Sequence, residues 1–232
     1  MKTIILTSVL AFLFCFPSVK AQNQELLHKY HLLKGDVLLI QNAANDDKKV
    51  NPYYRNDFQE GFIHFPNNDP LAAVIRYDLL KEEMQVLLKG NSYQVLQDNV
   101  KVEIDDISFE KFNYLDDNKV INQGYFEVIT DSKENPSLLL LKKHFKEKKT
   151  DLRSEARGFP AKYIDRSDYF LKFGKYRPAI LVPVKTAEFA SHFNDHAGQI
   201  EEYIKNEKLK LKKEADLIKI VNYYNSFSDT AK

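Results

Sequence analysis

A glutamate and two histidines near the C-terminus have the spacing of a helical metal site. Glu188, His192 and His196 follow one another at intervals of four residues, which would place them on one face of a continuous helix. Two imidazoles and a carboxylate are ligands that a divalent cation such as Zn²⁺ accepts. The segment HFNDH lacks the glutamate of the HExxH metalloprotease motif, and Gly198 can end the helix. The alternative interpretation is a solvated helix face.

Three aromatic residues form a second candidate site. Tyr53, Tyr54 and Phe58 cluster just before the first strand of a predicted meander, where the alternation of core residues has not yet begun. Aromatic side chains at such a position can line the mouth of a ligand site or form a protein contact. Packing into the core is the alternative interpretation, since that is what most aromatic side chains do.

The other patterns that could do chemistry are incomplete. The aspartate pairs 46–47, 105–106 and 116–117 lack the order of a calcium loop, so we expect them in turns. Paired carboxylates could also cleave glycosides, although the sequence brings no two of them to the required separation. The chain has no GxSxG nucleophile motif, and seven glycines are too few to suggest a phosphate-binding loop. The basic segments 142–149 and 205–213 are diluted by glutamate, which is typical of a solvated surface. We therefore predict no catalytic residue and no cofactor.

The N-terminus has the composition of a secretory signal peptide spanning residues 1–21. Lys2 gives a positive start, residues 4–16 form an apolar run, and cleavage is expected between Ala21 and Gln22. The apolar run is shorter than the roughly 20 residues of a membrane span. Lipid attachment at Cys15 is disfavoured because Phe14, rather than a small residue, precedes it. We expect an exported protein that is periplasmic or extracellular, and association with the outer membrane is left open.

Cleavage would leave a chain without cysteine, because Cys15 is the only one. Loss of Lys2 and Lys20 from 34 basic residues leaves 32 against 33 acidic residues. This balance gives no overall field that would attract nucleic acid, and we expect no nucleic-acid partner. Residues 22–232 contain no apolar run of transmembrane length.

Residues 22–184 have the pattern of antiparallel strands. Short apolar runs alternate with Asn, Asp, Gly and Pro clusters about every ten residues between positions 51 and 104. Val102 lies between Lys101 and Glu103 in the clearest half-buried strand. Strands are predicted at residues 36–41, 61–65, 71–78, 84–88, 93–97, 100–104, 107–114, 120–130, 138–145, 162–173 and 179–184. A short helix is predicted at residues 23–34, and a long mobile loop at residues 146–160.

After position 184 the hydrophobic period changes from two to three or four, which indicates helices up to residue 227. Thr186 can cap the first of them, and Leu217, Ile218, Val221 and Tyr224 form the apolar face of the last. The predicted fold is α+β, a mainly antiparallel β-meander forming a strongly curved sheet or partial barrel, with C-terminal helices packed on it. Residues 22–232 are predicted to form a single domain.

The chain resembles a broad group of functionally uncharacterised, exported β-rich proteins of Bacteroidetes-type bacteria. Besides the signal peptide, the shared features are the segments Pro52-Tyr53-Tyr54, Arg76-Tyr77-Asp78, Gly124-Tyr125-Phe126-Glu127 and Tyr223-Tyr224-Asn225. The resemblance implies an envelope or secreted protein and supplies no catalytic residue.

The favoured function is a non-enzymatic binding or structural module whose partner is a protein or an apolar small molecule. The first alternative is a carrier that wraps an apolar ligand in the curved sheet, with the helices as a lid. The second is a hydrolase with an unrecognised site. An exposed aromatic patch over a filled core would favour the binding module, an apolar cavity the carrier, and a cleft of perturbed carboxylates or histidines the hydrolase.

Overall fold

A computed structural model describes residues 30–33, 37–41, 51–66, 69–88, 91–95, 100–130, 136–149, 157 and 162–229. The predicted signal peptide and the aspartate pair 46–47 lie outside these residues. Twelve strands form one sheet in the order β1-β2-β6-β5-β4-β3-β7-β8-β9-β10-β11-β12. The strands are Tyr30–Leu33 (β1), Val37–Gln41 (β2), Gln59–His64 (β3), Leu71–Asp78 (β4), Glu83–Leu88 (β5), Asn91–Val95 (β6), Lys101–Ile104 (β7), Ile107–Leu115 (β8), Ile121–Val128 (β9), Leu138–Lys149 (β10), Lys162–Phe173 (β11) and Ile180–Leu181 (β12).

Alternating side chains fix which face of the sheet is buried. Along β7, Val102 is fully buried while Lys101 and Glu103 are half-buried, so the predicted alternation is confirmed. Ile63 of β3 and Phe109 of β8 lie directly opposite Val102 and are also fully buried. Directly opposite residues of antiparallel strands share a face, so these side chains form one continuous core.

The sheet curls into a half-barrel around this first core cluster. Neighbouring strands pair antiparallel, and all but a few pairings join strands that are consecutive in the chain. The exceptions place β3 beside β7 and β2 beside β6. The predicted antiparallel meander with a strongly curved sheet is thereby confirmed.

Three helices cover the β9–β11 end of the buried face: Thr186–Ser191 (α1), Ala197–Asn206 (α2) and Glu214–Asp229 (α3). A 3₁₀ turn, Asn194–His196, separates α1 from α2. Leu217, Ile220 and Val221 of α3 pack in one buried cluster with Leu138 and Leu140 of β10. The predicted packing of the C-terminal helices on the sheet is therefore confirmed.

A side-chain amide of α3 also forms hydrogen bonds with the sheet. Asn225 of α3 accepts a hydrogen bond from the Leu138 backbone N–H at 3.0 Å and donates one to the Leu138 carbonyl at 2.9 Å. These bonds satisfy both backbone groups at the start of β10. The helix start differs from the prediction, because the N-cap of α1 is Lys185, without a side-chain cap, and Thr186 is the first helical residue.

Two other predictions were wrong in part. The helix predicted for residues 23–34 fails over Tyr30–Leu33, which pairs with β2 as strand β1, because cross-strand pairing overrides a short helical pattern. The loop predicted for residues 146–160 fails over residues 146–149, which extend β10 along β11. Opposite charges across the pair support this extension, with Lys146 Nζ 2.5 Å from Asp165 Oδ1 and Arg166 Nε 2.7 Å from Glu147 Oε2.

Among the described residues, a third buried cluster covers part of the opposite face of the sheet. Phe126, Leu141, Phe170 and Ala179 form a buried cluster where the chain before β12 crosses β8. Pro178 and Pro183 flank β12 at the sheet edge, a position that suits them because proline cannot donate a hydrogen bond to a central ladder. Within the described part of the chain, no helix has the length and apolar character needed to cross a membrane.

Candidate functional site

An apolar groove lies on the uncovered face of β3, β4 and β5. Phe62 pairs directly with Ala72, and Val74 pairs directly with Leu87, so these four side chains form two rows on one face. Phe62 is 47% exposed, whereas Ile63, the next residue on β3, is fully buried. A cavity of about 400 Å³ lies along these rows. It is lined by Glu60, Gly61, Phe62, Ala72, Ala73, Val74, Glu103, Asp105 and Asp106.

Carboxylates form the rim of this groove. Glu60 lies directly opposite Val74, and Glu103 lies directly opposite Phe62. Asp105 and Asp106 form the tight turn between β7 and β8, with φ angles of 49° and 63°. Aspartate tolerates this left-handed backbone, so the predicted turn role of the pair is confirmed.

Only some of the rim charge is compensated within the protein. Glu103 lies 2.9 Å from the His64 imidazole and 3.1 Å from the Lys101 ammonium. Burial alone would raise the pKa of Glu103, but hydrogen bonds from His64 and Lys101 outweigh it and lower the pKa. Asp105 lies 3.7 Å from Arg55, and its neighbour Asp106 has no salt-bridge partner in the part of the chain that the structure describes. The four rim carboxylates therefore outnumber the three basic side chains that pair with them.

A stacked arginine closes one end of the same face. Arg76 lies two residues beyond Val74 on β4, so both side chains point to the uncovered face. Its guanidinium carbon is 3.4 Å from the ring centroid of Tyr53 and 4.2 Å from that of Phe58. Arg76 also donates a hydrogen bond of 2.9 Å to the side chain of Gln85. Two of the predicted aromatic residues are thus brought together around a cation beside the groove.

Tyr54, the third predicted aromatic residue, lies with the core on the other face. Its ring is 5.4 Å from that of Phe109 and 4.6 Å from the imidazole of His144. Burial and the nearby carboxylate of Glu127 raise its pKa. The three predicted residues therefore do not form one continuous aromatic surface.

The predicted metal ligands do not share a helix face. Helix α1 ends at Ser191, which leaves His192 at its C-cap and His196 in the 3₁₀ turn before α2. The His196 ring stacks on Phe227 at 4.5 Å, and its Nδ1 is 2.7 Å from the side chain of Gln199. No group of three or more His, Cys, Asp or Glu side chains suited to a metal ion occurs among the described residues. The continuous helix on which the metal hypothesis depends is interrupted because Asn194 adopts a φ of 51°.

A cluster of ionisable side chains joins the sheet to α3. His144 Nε2 of β10 is 2.5 Å from Glu127 Oε2 of β9. Next to it, Glu214 of α3 accepts hydrogen bonds from Lys142 Nζ at 2.8 Å and from the Tyr169 hydroxyl at 2.9 Å. The hydrogen bond from Lys142 lowers the pKa of Glu214. Burial alone would lower the pKa of Lys142, but the bond to Glu214 outweighs it and raises the pKa.

A histidine beside a carboxylate can act as a general base when a substrate reaches it. Here the His144 side chain is 12% exposed and lies against the rings of Tyr54 and Phe109. Among the described residues, no hydroxyl or thiol nucleophile hydrogen-bonds to it. The contact of His144 with Glu127 joins β10 to β9, so the geometry fits a structural contact within the sheet.

A partly buried ion pair explains why strand β9 has a glycine at position 124. Lys143 of β10 pairs with Glu82, which also accepts a hydrogen bond of 3.0 Å from the Tyr77 hydroxyl. A Cβ at Gly124 would lie 2.8 Å from Lys143 Nζ and 3.0 Å from Glu82 Oε2. A larger side chain at position 124 would therefore displace this ion pair. Burial and the Glu82 carboxylate raise the pKa of Tyr77 well above its ordinary value.

Comparison of the chain with protein-family models, with curated proteins and with solved structures finds no match. The function of this chain is therefore inferred from its own geometry. Sequence reasoning missed Phe62 and Val74 as site residues. Their signal is that each is a large apolar residue at a position of its strand that alternates with the core.

Proposed function

We propose that this chain is an exported, non-enzymatic binding module of the cell envelope or its surroundings, and that it recognises a polypeptide partner at the β3–β5 groove. The single observation that carries the proposal is an exposed apolar groove bordered by carboxylates over a filled core. The occupant that fits is an extended segment with a large apolar side chain flanked by Lys or Arg. Export is supported by the composition of residues 1–21 and by the resemblance to exported β-rich proteins.

The magnitudes indicate that apolar contact and charge pairing must act together. Full burial of one large apolar side chain contributes roughly 1.5–3 kcal/mol. Phe62, Val74 and Leu87 are between one third and one half exposed, so covering all three contributes about 3 kcal/mol. Association costs at least about 4 kcal/mol in lost motion, so the groove alone gives little net affinity. Cationic side chains on the rim supply the remainder and the specificity.

The arrangement of the core favours this proposal over the two alternatives. The curved face of the sheet, where a carrier would hold its ligand, is occupied by packed side chains such as Ile75, Met84 and Phe109. Of the carboxylates near the groove, Glu103 is paired with cations, Asp105 and Asp106 lie at a turn, and Glu60 is exposed on β3. A hydrolase would need a carboxyl group that faces the cleft with a pKa raised towards neutrality.

Peptide binding measured by NMR titration of isotope-labelled protein tests the proposal. The probe is the peptide Lys-Thr-Phe-Thr-Lys, and its matched control is the same peptide with both lysines replaced by glutamate. We expect shifts confined to β3, β4, β5 and the β7–β8 turn with the cationic peptide and none with the acidic one.

Phe62→Ser and Glu103→Gln should each weaken binding of the cationic peptide by about fivefold or more. Val120→Ser is the matched control, because Val120 is also exposed but lies in the β8–β9 turn away from the groove. Equal shifts with both peptides, or shifts centred outside the groove, would contradict the proposal.

A further inference from the structure

The loop between β11 and β12 presents an aromatic ring and two cations at one end of the sheet. Residues 174–179 form this β11–β12 loop. Tyr176 is 91% exposed, the highest exposure of any large hydrophobic residue described, and Lys175 and Arg177 beside it are also exposed. A cavity of about 410 Å³ lies between the loop and the helical layer, where Asn194 and Tyr224 line it. Cavities of this size hold small ligands.

A buried lysine holds the loop in place. Lys172 is 6% exposed, and its ammonium donates hydrogen bonds to the carbonyls of Gly174 and Lys175, the latter at 3.0 Å. The Gly174 N–H also donates to the Ser137 carbonyl at 2.9 Å. Gly174 itself has a φ of 53°, a left-handed conformation that glycine adopts without strain. These hydrogen bonds from the Lys172 side chain and the Gly174 backbone fix the backbone beside Tyr176. A loop backbone that is already fixed loses less entropy on binding.

Among the described residues, the positive charge of the β11–β12 loop has no carboxylate partner. Neither Lys175 nor Arg177 forms a salt bridge with a carboxylate anywhere in the described ranges. The Lys175 ammonium lies 5.7 Å from the Tyr176 ring centroid, so cation and ring form one surface. Both cations line the same cavity, and an anion bound there would relieve their mutual repulsion.

We propose that the β11–β12 loop binds an acidic oligosaccharide, independently of the groove on β3–β5. Arg177 and Lys175 pair with the carboxylates of uronic acid residues. Tyr176 offers a flat ring face to a sugar ring, and the side-chain amide of Asn194 offers hydrogen bonds to its hydroxyls. A lipid surface fits less well, because Tyr176 is the only large apolar side chain among residues 174–179 and anchoring needs more apolar area. A nucleic acid strand fits less well, because its repeated phosphates are matched by a longer run of cations.

Isothermal titration calorimetry with a tetrasaccharide of galacturonic acid tests the proposal on the full chain. Its uncharged control is the same tetrasaccharide with all carboxyl groups methyl-esterified. We expect saturable binding of the acid form, and binding of the ester at least about tenfold weaker because the charge-assisted hydrogen bonds are lost. Arg177→Gln and Tyr176→Ala should each weaken binding of the acid form by about tenfold.

Lys162→Gln is the matched control for loss of one positive charge. Lys162 is exposed at the opposite end of β11, eleven residues before Phe173 and about 36 Å away along the strand. It should leave the affinity unchanged. The melting temperature of each variant distinguishes a lost contact from a lost fold.

Four results would overturn the proposal. The first is no heat of binding with the acid form at millimolar concentration, and the second is equal affinity for the acid form and the ester. The third is binding to phosphatidylglycerol vesicles or to single-stranded DNA that the tetrasaccharide does not displace. Loss of binding in Lys162→Gln to the same extent as in Arg177→Gln would replace the local site with general electrostatic attraction, and so would also contradict it.

Discussion

Replacing Gly61 with alanine tests the register of the sheet beneath the groove. A Cβ built on Gly61 would lie 2.0 Å from the backbone carbonyl oxygen of Glu103, whereas ordinary contact begins near 3.4 Å. Strands β3 and β7 would have to separate by about 1.4 Å at this point. Such a shift stretches the neighbouring ladder bonds beyond hydrogen-bonding distance, and no side-chain rotation can relieve it.

The expected cost is about 3 kcal/mol, from two weakened backbone hydrogen bonds and the strain of overpacking. For a chain of this size, the melting temperature should fall by roughly 6–12 °C, measured by circular dichroism. Gly198→Ala is the matched control, because a Cβ there meets nothing within 4 Å inside helix α2. That substitution should stabilise the protein by up to about 1 kcal/mol. A Gly61→Ala protein that melts within about 2 °C of the wild type would refute the register of β3 against β7.

Four further predictions concern the core, the last helix, the Lys142–Glu214 pair and the N-terminus. Val102→Asp should destabilise the protein by about 4 kcal/mol or more, because it buries an unpaired charge, and urea unfolding measures this against neutralisation of either flanking residue. Deleting residues 213–232 should give an insoluble or molten product without a cooperative melting transition; an unchanged melting temperature would mean that the apolar face of α3 serves a partner instead. The depressed pKa of Glu214 gives stability that is present above its ordinary value of 4.5 and lost as the pH falls through the lower folded value. The raised pKa of Lys142 gives stability that is present below its ordinary value of 10.5 and lost as the pH rises through the higher folded value. Between the ordinary pKa values of Glu214 and Lys142, the urea midpoint of Lys142→Met should therefore lie below that of the wild type. At lower and at higher pH the two midpoints should converge. Sequencing of protein recovered from the envelope or medium should begin at Gln22, and a chain beginning at the initiator methionine would contradict the predicted cleavage.

The strands were predictable where one face of the sheet is buried and the other is solvated. Strands β4 and β11 lie at the predicted residues, and β7 shows the predicted burial of Val102. Alternation of apolar and polar residues is a local signal, so a single sequence carries it. The same signal fails for residues 146–149, which are charged on both faces and are held as a strand by pairing with β11.

Strand order and the N-terminal pairing depend on contacts between distant parts of the chain. Strand β3 pairs with β7 rather than only with its neighbour in the chain, and β2 pairs with β6. Nothing local to either segment specifies its partner, because many apolar runs of similar length are compatible. The spacing of apolar residues predicts a helix that includes Tyr30–Leu33. In the structure this segment forms strand β1 because it pairs with β2.

The candidate sites also depended in part on local sequence pattern and in part on contacts between distant residues. The sequence pointed to Tyr53 and Phe58, but it could not show that both rings stack on Arg76. It pointed to His192 and His196 through helical spacing, and the positive φ of Asn194 breaks the helix between them. Local pattern identifies residue types that could do chemistry, whereas a turn or a cross-strand neighbour decides which of them meet.

The two proposed surfaces carry opposite charge, which explains why the net charge indicated neither of them. Carboxylates surround the β3–β5 groove, and cations without a carboxylate partner among the described residues occupy the β11–β12 loop. Their fields largely cancel in the net charge of +1 for the whole chain, although each is strong within a Debye length of about 8 Å of its own surface. Net charge therefore excludes a partner only when charge is spread evenly over the molecule. Because each site would attract a ligand that the other repels, one protein of this build can hold a cationic polypeptide and an acidic glycan at the same time without competition between them.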